Sequence, residues 1–387
     1  MTIPFSELNA AQLERFQCRV VQRYAHEKMP PLERIEIFLT DDCTLQCDYC
    51  FVRNKQQRRM SWNVAKKAVD FLMERSSASQ EVTITFFGGE PLMEFELMKR
   101  IAEYACDCAS KREKKITYSV TTNGMIMNEE IAMFGQKYGF NYMLSIDGGR
   151  ESHDLHRICA GGKNGSWDIV MGENFRLLKQ TQGWMGSRYT IAPDTVRHFF
   201  HGVETLLDKG VNQFILGPDF DAEWAREEMD ILESEYNKVV DLYLEARNAG
   251  QHCRIAEFEK TPEELRSSLT NTWGCDAGRT RLAISTDGDL FPCSRFVKPF
   301  PGMESYKLGS LDEGLTNISG RMEFIDNHLD KHPECTDCAR RDLCNGGCPA
   351  TNLHLTGSIY KSTEFQCFNT RLNYDLLTRI HSSAQTT

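Results

Sequence analysis

The sequence contains no long hydrophobic run and no surplus of positive charge. No stretch of its 387 residues approaches the roughly 18 consecutive apolar residues of a membrane span, so no membrane is expected as a partner. The N-terminal segment lacks a basic region followed by an apolar core and a small-residue cleavage site, so no secretory signal is visible and a cytoplasmic location is expected. The 45 basic and 55 acidic residues give a formal net charge of −10, which argues against nucleic-acid binding through phosphate neutralisation.

Cysteine, by contrast, is abundant. The chain has 15 cysteines, although disulfides are rare in the cytoplasm, where thiols stay reduced. Clustered cysteines in such a chain indicate metal ligation rather than disulfide bridges. Three of them, Cys43, Cys47 and Cys50, lie in the segment "TDDCTLQCDYCF", directly after an apolar run that is typical of a strand.

The first two thirds of the chain alternate between apolar, β-branched runs and amphipathic helical patterns. Each of six predicted strands is followed by a predicted helix, which implies right-handed βαβ crossovers and a parallel sheet curled into a partial (β/α)6 TIM-like barrel. Ser61 is predicted as a helix N-cap, and Gly139, Gly210 and Gly250 as C-terminal glycines. The predicted strands are Arg34–Thr40, Val82–Phe87, Ile116–Thr122, Tyr142–Asp147, Arg188–Ala192 and Gln213–Gly217.

The composition changes at about Thr270 to short strands, turns and cysteines, which predicts a cysteine-rich α+β domain at the C-terminus. The predicted division is an N-terminal helical extension at 1–33, the barrel at 34–250, a linker at 251–269 and the cysteine-rich domain at 270–387. The length also favours two units, because single cores stop growing near about 250–300 residues. Chemistry is expected in the loops at the C-terminal ends of the barrel strands.

Three cysteines on one loop favour a particular kind of metal site. A structural zinc takes four protein ligands, commonly in two pairs, whereas a [4Fe–4S] cluster held by three cysteines keeps one iron open for an external ligand. The alternatives are adventitious zinc and buried thiols that pack as small hydrophobes. Asp41, Asp42 and Asp48 make this loop polar, which argues against simple packing.

The sequence resembles the radical S-adenosylmethionine (SAM) superfamily in three features. These are the C-x3-C-x2-C spacing, the aromatic Tyr49 before the third cysteine and the "GGEP" segment after the second strand. The resemblance implies that Cys43, Cys47 and Cys50 hold three irons of a [4Fe–4S] cluster, while the amino and carboxylate groups of SAM chelate the fourth. One-electron reduction by a donor such as flavodoxin or ferredoxin would then give a 5′-deoxyadenosyl radical that abstracts hydrogen from the substrate. The implied cofactor-binding positions are Tyr49, Gly88, Gly89, Glu90, Thr122, Asn123, Ser145, Asp147 and Arg157.

The resemblance also implies a role for each of these positions. The segment Gly88–Glu90 would receive the methionyl ammonium, and Arg157 would pair with the SAM carboxylate through its guanidinium fork. The positions at the ends of the third and fourth strands would contact ribose and methionine, with a simple turn or surface role as the alternative for these and for Arg157. Adenine is expected near Tyr49 or Phe51.

Seven cysteines beyond residue 270 have the order found in a SPASM domain, a C-terminal extension of peptide-modifying radical SAM enzymes. The segment "CTDCARRDLCNGGC" alone would also suit a zinc knuckle. The resemblance implies two auxiliary [4Fe–4S] clusters, hence three clusters in all, and an inner set one thiolate short of four. Its interleaved ligation would place Cys335, Cys338, Cys344 and Cys367 on the outer cluster and Cys275, Cys293 and Cys348 on the inner one.

Two branches of this group give competing functions. Anaerobic sulfatase maturases oxidise a cysteine or serine to formylglycine and carry an aspartate base directly after the second cysteine of the domain. Here that position is Ser294, which cannot act as a base at neutral pH. The preferred hypothesis is therefore a maturase that forms a thioether or carbon–carbon crosslink in a ribosomally synthesised precursor peptide, with an iron–sulfur electron carrier or redox sensor as the non-enzymatic alternative.

Two further points stay open at the level of sequence. The segment before the first strand is shorter than a leader-peptide-binding domain, so either a separate leader-binding protein or another surface, such as the N-terminal "AAQLERFQCRVVQRYA", is expected to recognise the precursor. The candidate bases are Asp219, Asp221, Glu223 and Tyr189, and Cys159 lies in a glycine-rich loop near the expected site.

Overall fold

The structure is a computed structural model that describes residues 29–53, 55–77, 79–260, 275–297, 303–341 and 344–384. The predicted N-terminal helix lies outside the described residues, as do residues 261–269 of the predicted linker. No helix within the described ranges is both long and apolar enough to cross a membrane.

One eleven-stranded sheet organises the described residues, in the order β11-β10-β9-β8-β1-β2-β3-β4-β5-β6-β7. Strands β1 to β7 pair in parallel, β8 runs parallel to β1, and β9 to β11 continue the sheet as antiparallel neighbours. The strands are β1 (Arg34–Phe38), β2 (Glu81–Phe87), β3 (Lys115–Thr122), β4 (Phe140–Ser145), β5 (Gly186–Ile191), β6 (Gln213–Pro218), β7 (Arg254–Ile255), β8 (Arg281–Ile284), β9 (Asp289–Phe291), β10 (Gly309–Ser310) and β11 (Gly314–Leu315).

Helices alternate with the parallel strands and bury their apolar faces against the sheet in one large core. Ser61 caps the first helix by accepting a hydrogen bond from the Val64 amide, as predicted. Gly139 and Gly210 end their helices in the left-handed region at φ values of 67° and 95°, which glycine adopts without steric strain. The helices are α1 (Trp62–Arg75), α2 (Phe95–Ser110), α3 (Glu129–Tyr138), α4 (Arg150–His156), α5 (Phe175–Gln182), α6 (Phe199–Lys209), α7 (Arg226–Asn248), α8 (Ile318–Ile325), α9 (Pro349–Thr356) and α10 (Glu364–Ala384).

The predicted alternation of six strands and helices is confirmed, with shifts of one or two residues at several strand ends, including β1 and β5. Strand β4 starts and ends two residues earlier than the predicted Tyr142–Asp147, because the buried Asp147 leaves the sheet to bind side chains described below. The predicted helix in "DIVMGENFRLLKQ" is interrupted, since Gly172 has non-helical angles of φ −84° and ψ −126° before α5 begins.

Short strands were predicted beyond about residue 270, but their pairing with the barrel sheet was not, and neither was a strand in the linker. Strand β8 pairs with β1, so the cysteine-rich C-terminal region extends the same sheet as the barrel. At the opposite flank, β7 lies within the predicted linker and pairs with β6. Arg295, which follows β9, binds Asp221, which follows β6, so the two flanks curve toward each other around the C-terminal ends of the barrel strands.

Candidate active site

The cysteine loop after β1 is held between two other loops by backbone hydrogen bonds. On one side, the Gly89 amide donates to the Thr40 carbonyl and the Glu90 amide to the Asp42 carbonyl, both at 2.8 Å. On the other side, the Gln46 amide donates to the Ile158 carbonyl and the Ala160 amide to the Thr44 carbonyl, also at 2.8 Å. The loop around Cys159 therefore supports the cysteine loop through its backbone, a role that the sequence did not reveal.

Gly88 and Gly89 are needed for contact between the β1 and β2 loops. A Cβ atom at Gly88 would lie 2.4 Å from the Thr40 carbonyl oxygen, and one at Gly89 would lie 2.0 Å from the Asp42 carbonyl oxygen. Gly88 also has φ +144°, which L side chains rarely adopt. The glycine pair thus lets the "GGEP" loop dock directly onto the backbone of the cysteine loop.

The Glu90 side chain connects this docked loop to the end of β3. Its Oε1 accepts hydrogen bonds from the Thr122 hydroxyl at 2.7 Å and the Leu92 amide at 3.0 Å, and its Oε2 accepts one from the Asn123 amide at 2.8 Å. Burial raises the pKa of Glu90 to about 7, although the three donors oppose that shift. Asn123 in turn donates to the Thr44 hydroxyl at 3.0 Å, so one buried carboxylate aligns three loops.

Asp147 is the centre of a second buried network. Its carboxylate accepts hydrogen bonds from Arg157 Nε at 2.8 Å, from Arg157 Nη2 at 2.9 Å and from the Thr190 amide at 2.9 Å. The Tyr49 hydroxyl donates to the same carboxylate, and the Arg157 guanidinium lies 5.4 Å from the centre of the Tyr49 ring. Although burial raises the pKa of Asp147, Arg157 outweighs that effect and the net pKa is lowered.

A cavity of about 440 Å³ opens at the C-terminal ends of the barrel strands. Its size is that of a small-molecule or cofactor site. Thr122 and Asp147 lie behind the cavity wall, with 1% and 2% of their surface exposed, and they hold residues that line it. The predicted site residues that line the cavity are Cys43, Cys47, Cys50, Tyr49, Gly88, Gly89, Glu90, Asn123, Ser145 and Arg157, together with Phe51.

The cysteine triad suits an iron–sulfur cluster in its chemistry. Burial raises the pKa of Cys43 to about 11 and also raises the pKa of Cys47, where Arg157 opposes the shift. Because thiolates are the metal-binding form, bound iron would supply the positive charge that these buried sulfurs require. Among the residues that the structure describes, no three His, Cys, Asp or Glu side chains converge closely enough to hold a single metal ion.

The seven C-terminal cysteines form two groups in space. Burial raises the pKa of the Cys293 thiol, Arg281 opposes this, and the neighbouring Cys275 and Cys348 raise it further. Burial also raises the pKa of Cys367 to about 11, with added contributions from Cys344, Cys335 and Cys338. The grouping agrees with the inner and outer sets expected from interleaved ligation, and the ligand assignment itself stays a prediction.

The structure separates the four candidate bases. Asp219 lines the cavity, and burial raises its pKa. Asp221 also lines the cavity, but Arg295 Nη2 binds both of its oxygens, at 2.7 and 2.6 Å. Glu223 is exposed, while Tyr189 is buried in the core with its ring centre 5.5 Å from that of Phe199. Asp219 is therefore the candidate base that the geometry favours.

Three arginines on the far side of the cavity were not predicted as site residues from the sequence. Arg188 on β5, Arg281 on β8 and Arg295 after β9 all line it. Arg281 Nη2 lies 3.6 Å from the Cys275 sulfur, and its Nη1 lies 3.2 Å from Glu36. The available signal was an arginine within a short run of strand-forming residues, as in "RYTI" and "RLAI", because a strand buried in a sheet rarely carries a cation without a partner or a function.

Comparisons with known proteins agree with this architecture. The sequence model of the radical SAM superfamily matches residues 37–229, and that of the SPASM iron–sulfur cluster-binding domain matches residues 275–339. A cysteine-type anaerobic sulfatase-maturating enzyme of Clostridium novyi (strain NT) is 26% identical over 333 residues, which cover 80% of this chain and 85% of that protein.

Two solved structures share the fold at lower sequence identity. Native anSMEcpe with bound AdoMet and Cp18Cys peptide has a TM-score of 0.73 and 21% identity, covering 92% of this chain and 99% of that one. Streptococcus suis SuiB bound to precursor peptide SuiA has a TM-score of 0.60 and 16% identity, covering 95% of this chain and 83% of that one. The matched families follow one another in the order predicted from the cysteine spacings, and the chain belongs to the radical SAM superfamily with a C-terminal SPASM domain.

Proposed function

We propose that this radical SAM enzyme modifies a peptide, and that it forms a thioether or carbon–carbon crosslink in a ribosomally synthesised precursor. The observation that carries the proposal is the placement of carboxylates in the cavity. Ser294 lines the cavity at the position where the resemblance to sulfatase maturases would require an aspartate base. Asp219, on the β6 side, is instead a cavity carboxylate whose pKa is raised by burial, and unlike Glu90 it does not hold the end of β3.

The residues present fit the implied cofactors. Cys43, Cys47 and Cys50 would hold the SAM-binding cluster, and the two C-terminal groups of cysteines would hold two auxiliary clusters. When bound, these groups supply a 5′-deoxyadenosyl radical from SAM and iron–sulfur acceptors for the electron that the substrate gives up. Three [4Fe–4S] clusters correspond to about twelve iron atoms per chain, against about four if the C-terminal region binds zinc.

The chain's own residues position the reactants and move the proton. A crosslink removes two hydrogen atoms from the peptide: one leaves as a hydrogen atom, and the other as a proton with a separate electron. Asp219 accepts the proton, which its raised pKa favours relative to an ordinary aspartate. The buried Arg157–Asp147 pair fixes Tyr49 against the cavity, and the Arg295–Asp221 contact closes the gap between β6 and the C-terminal region.

Partners and domain roles belong to the same proposal. A precursor peptide is the substrate, as the peptide-bound forms of anSMEcpe and SuiB support, and a flavodoxin or ferredoxin is the electron donor. A separate leader-binding protein or the N-terminal extension recognises the precursor. Residues 34–250 form the radical SAM barrel, and 270–387 form the SPASM domain.

Formylglycine formation is the second candidate function. It is favoured by the similarity to the Clostridium novyi enzyme over 80% of this chain. In that case the base would not be Ser294, because a serine hydroxyl is not ionised at neutral pH. Asp219 or another residue would take that role.

Mass spectrometry of a co-expressed peptide distinguishes the two functions. The peptide is chosen from short, cysteine-rich reading frames sought beside the coding sequence, and the matched control is co-expression with a Cys43→Ala, Cys47→Ala, Cys50→Ala variant. Loss of two hydrogen atoms from the peptide, only with the wild-type enzyme and with fragment ions that join two residues, supports a crosslink. Conversion of a single cysteine or serine side chain to an aldehyde would replace the proposal by formylglycine formation.

A further inference from the structure

Arg188 is distinguished from the other arginines of the cavity by its lack of a carboxylate partner. Arg157 pairs with Asp147, Arg281 with Glu36, and Arg295 with Asp221. Within the described part of the chain, no carboxylate oxygen lies within 4.0 Å of the Arg188 guanidinium. Its hydrogen bonds run from Nη1 to the backbone carbonyls of Tyr189 at 3.5 Å and Ile215 at 3.3 Å, and both are long.

The surroundings of Arg188 leave its charge poorly compensated. Burial lowers its pKa, and the largest opposing effect comes from Glu257. Glu257 accepts a hydrogen bond from the Leu216 amide at 3.1 Å, and burial raises its own pKa to about 7. An arginine keeps its proton in a protein, and an uncompensated buried charge is costly. The guanidinium therefore lies in the cavity wall as a cation without a carboxylate at ion-pair distance, while Glu257 and Asp147 act on it from farther away.

The neighbouring strand makes room for this guanidinium. A Cβ atom at Gly217 would lie 2.6 Å from Arg188 Nη1 and 2.9 Å from Nη2. Glycine at this position thus lets the guanidinium lie directly against the backbone of β6, two residues before Asp219. Ser145, which also lines the cavity, is the register partner of Arg188 on β4.

We propose that Arg188 is the carboxylate-binding residue of this cavity. The resemblance to radical SAM enzymes assigns the SAM carboxylate to Arg157, but Arg157 already uses Nε and Nη2 to bind Asp147. Arg188 has a planar fork of donors that matches a carboxylate. The carboxylate belongs either to the methionyl group of SAM or to the peptide substrate. Binding of a peptide carboxylate rests on the proposed function, whereas binding of the SAM carboxylate does not.

The test compares ligands with and without a carboxylate on the reconstituted holoenzyme under anaerobic conditions. SAM and decarboxylated SAM are titrated into wild type, Arg188→Met and the control Arg150→Met, which removes an exposed arginine outside the cavity. If the anion is the SAM carboxylate, Arg188→Met weakens SAM binding by roughly 10- to 100-fold, the range of a charge-assisted hydrogen bond. Decarboxylated SAM then binds wild type and Arg188→Met equally.

A second arm addresses a substrate carboxylate. Acetate is added to the SAM-bound holoenzyme, and the melting temperature is measured. If SAM occupies its site without using Arg188, acetate raises the melting temperature of wild type and of Arg150→Met but not of Arg188→Met. Because neither arm needs the peptide, the proposal can fail or succeed independently of the crosslinking function.

Gly217→Ala keeps the test valid if Arg188→Met does not fold. The added methyl group displaces the guanidinium while leaving its charge in the protein, so the same carboxylate-dependent loss is expected. The proposal is overturned if both variants bind SAM like wild type and acetate changes all three melting temperatures alike or not at all. It is also overturned if SAM and decarboxylated SAM lose affinity to the same extent.

Discussion

The substitution Asp147→Asn tests the buried network that supports the candidate SAM site. The Asp147 carboxylate receives donors from Tyr49, from two nitrogens of Arg157 and from the Thr190 amide. Asparagine has almost the same shape but accepts at only one atom, and its amide group would face the guanidinium donors. The variant therefore leaves a buried cation without its anion and loosens Tyr49 at the cavity wall.

The expected loss of stability is large for a single substitution. Removing one partner of a buried ion pair destabilises a protein by about 3–5 kcal/mol. An unfolding entropy of about 2.1 cal/mol/K per residue amounts to about 0.8 kcal/mol/K for 387 residues. The melting temperature of the reconstituted protein is therefore expected to fall by roughly 4–6 °C, and SAM binding is expected to weaken.

Two controls make this prediction specific. Asp168→Asn breaks the Arg150–Asp168 pair, whose side chains are 53% and 70% exposed, and it should change the melting temperature far less because solvent screens that pair. The double variant Asp147→Asn, Arg157→Met removes both buried charges and should be more stable than Asp147→Asn alone. Equal melting temperatures for Asp147→Asn and Asp168→Asn would refute the reasoning.

Three further substitutions probe other parts of the site. Gly89→Ala should lower iron content and SAM cleavage, because its Cβ would meet the Asp42 carbonyl oxygen. The control Gly172→Ala should leave both unchanged, because nothing lies within 4 Å of a Cβ at that position. Because burial raises the pKa of Asp219, wild-type peptide modification should decline as the pH falls through that pKa and the base takes up a proton. Asp219→Asn should suppress modification at every pH while SAM cleavage continues, and loss of both activities together would contradict its role as base. Arg295→Ala breaks the ion pair between the flanks of the barrel and should raise the KM for the peptide more than that for SAM, as steady-state kinetics would reveal.

Much of the barrel could be predicted because its signals are local. Apolar, β-branched runs mark β1 to β6, and the positions of Ser61 and Gly139 follow from capping chemistry that depends only on neighbouring residues. The cysteine loop and the "GGEP" loop were placed together because parallel strands deliver their following loops to one edge of the sheet. The pairing of β8 with β1 was not predicted, since a pattern of four residues does not reveal which strand it pairs with.

The functions of individual side chains were harder to predict because they depend on tertiary contacts. Glu90 was expected to receive the SAM ammonium, and that role stays a prediction; what the sequence did not reveal is that its carboxylate also accepts hydrogen bonds from Thr122 and Asn123. Arg157 was expected to pair with the SAM carboxylate, which stays a prediction, and its ion pair with Asp147 was not expected. Arg188 carries no motif at all, and only the shape of the cavity and the pairing of its neighbours indicate its role.

The most direct test of the central claim is SAM cleavage by the reduced, anaerobically reconstituted protein. The wild type should convert SAM to 5′-deoxyadenosine and methionine, and replacing Cys43, Cys47 and Cys50 by alanine should abolish the reaction. Cys106→Ala, which removes an exposed cysteine on α2, is the matched control and should retain wild-type activity. Absence of cleavage by wild-type protein with its clusters intact, or undiminished cleavage by the triple variant, would contradict the account.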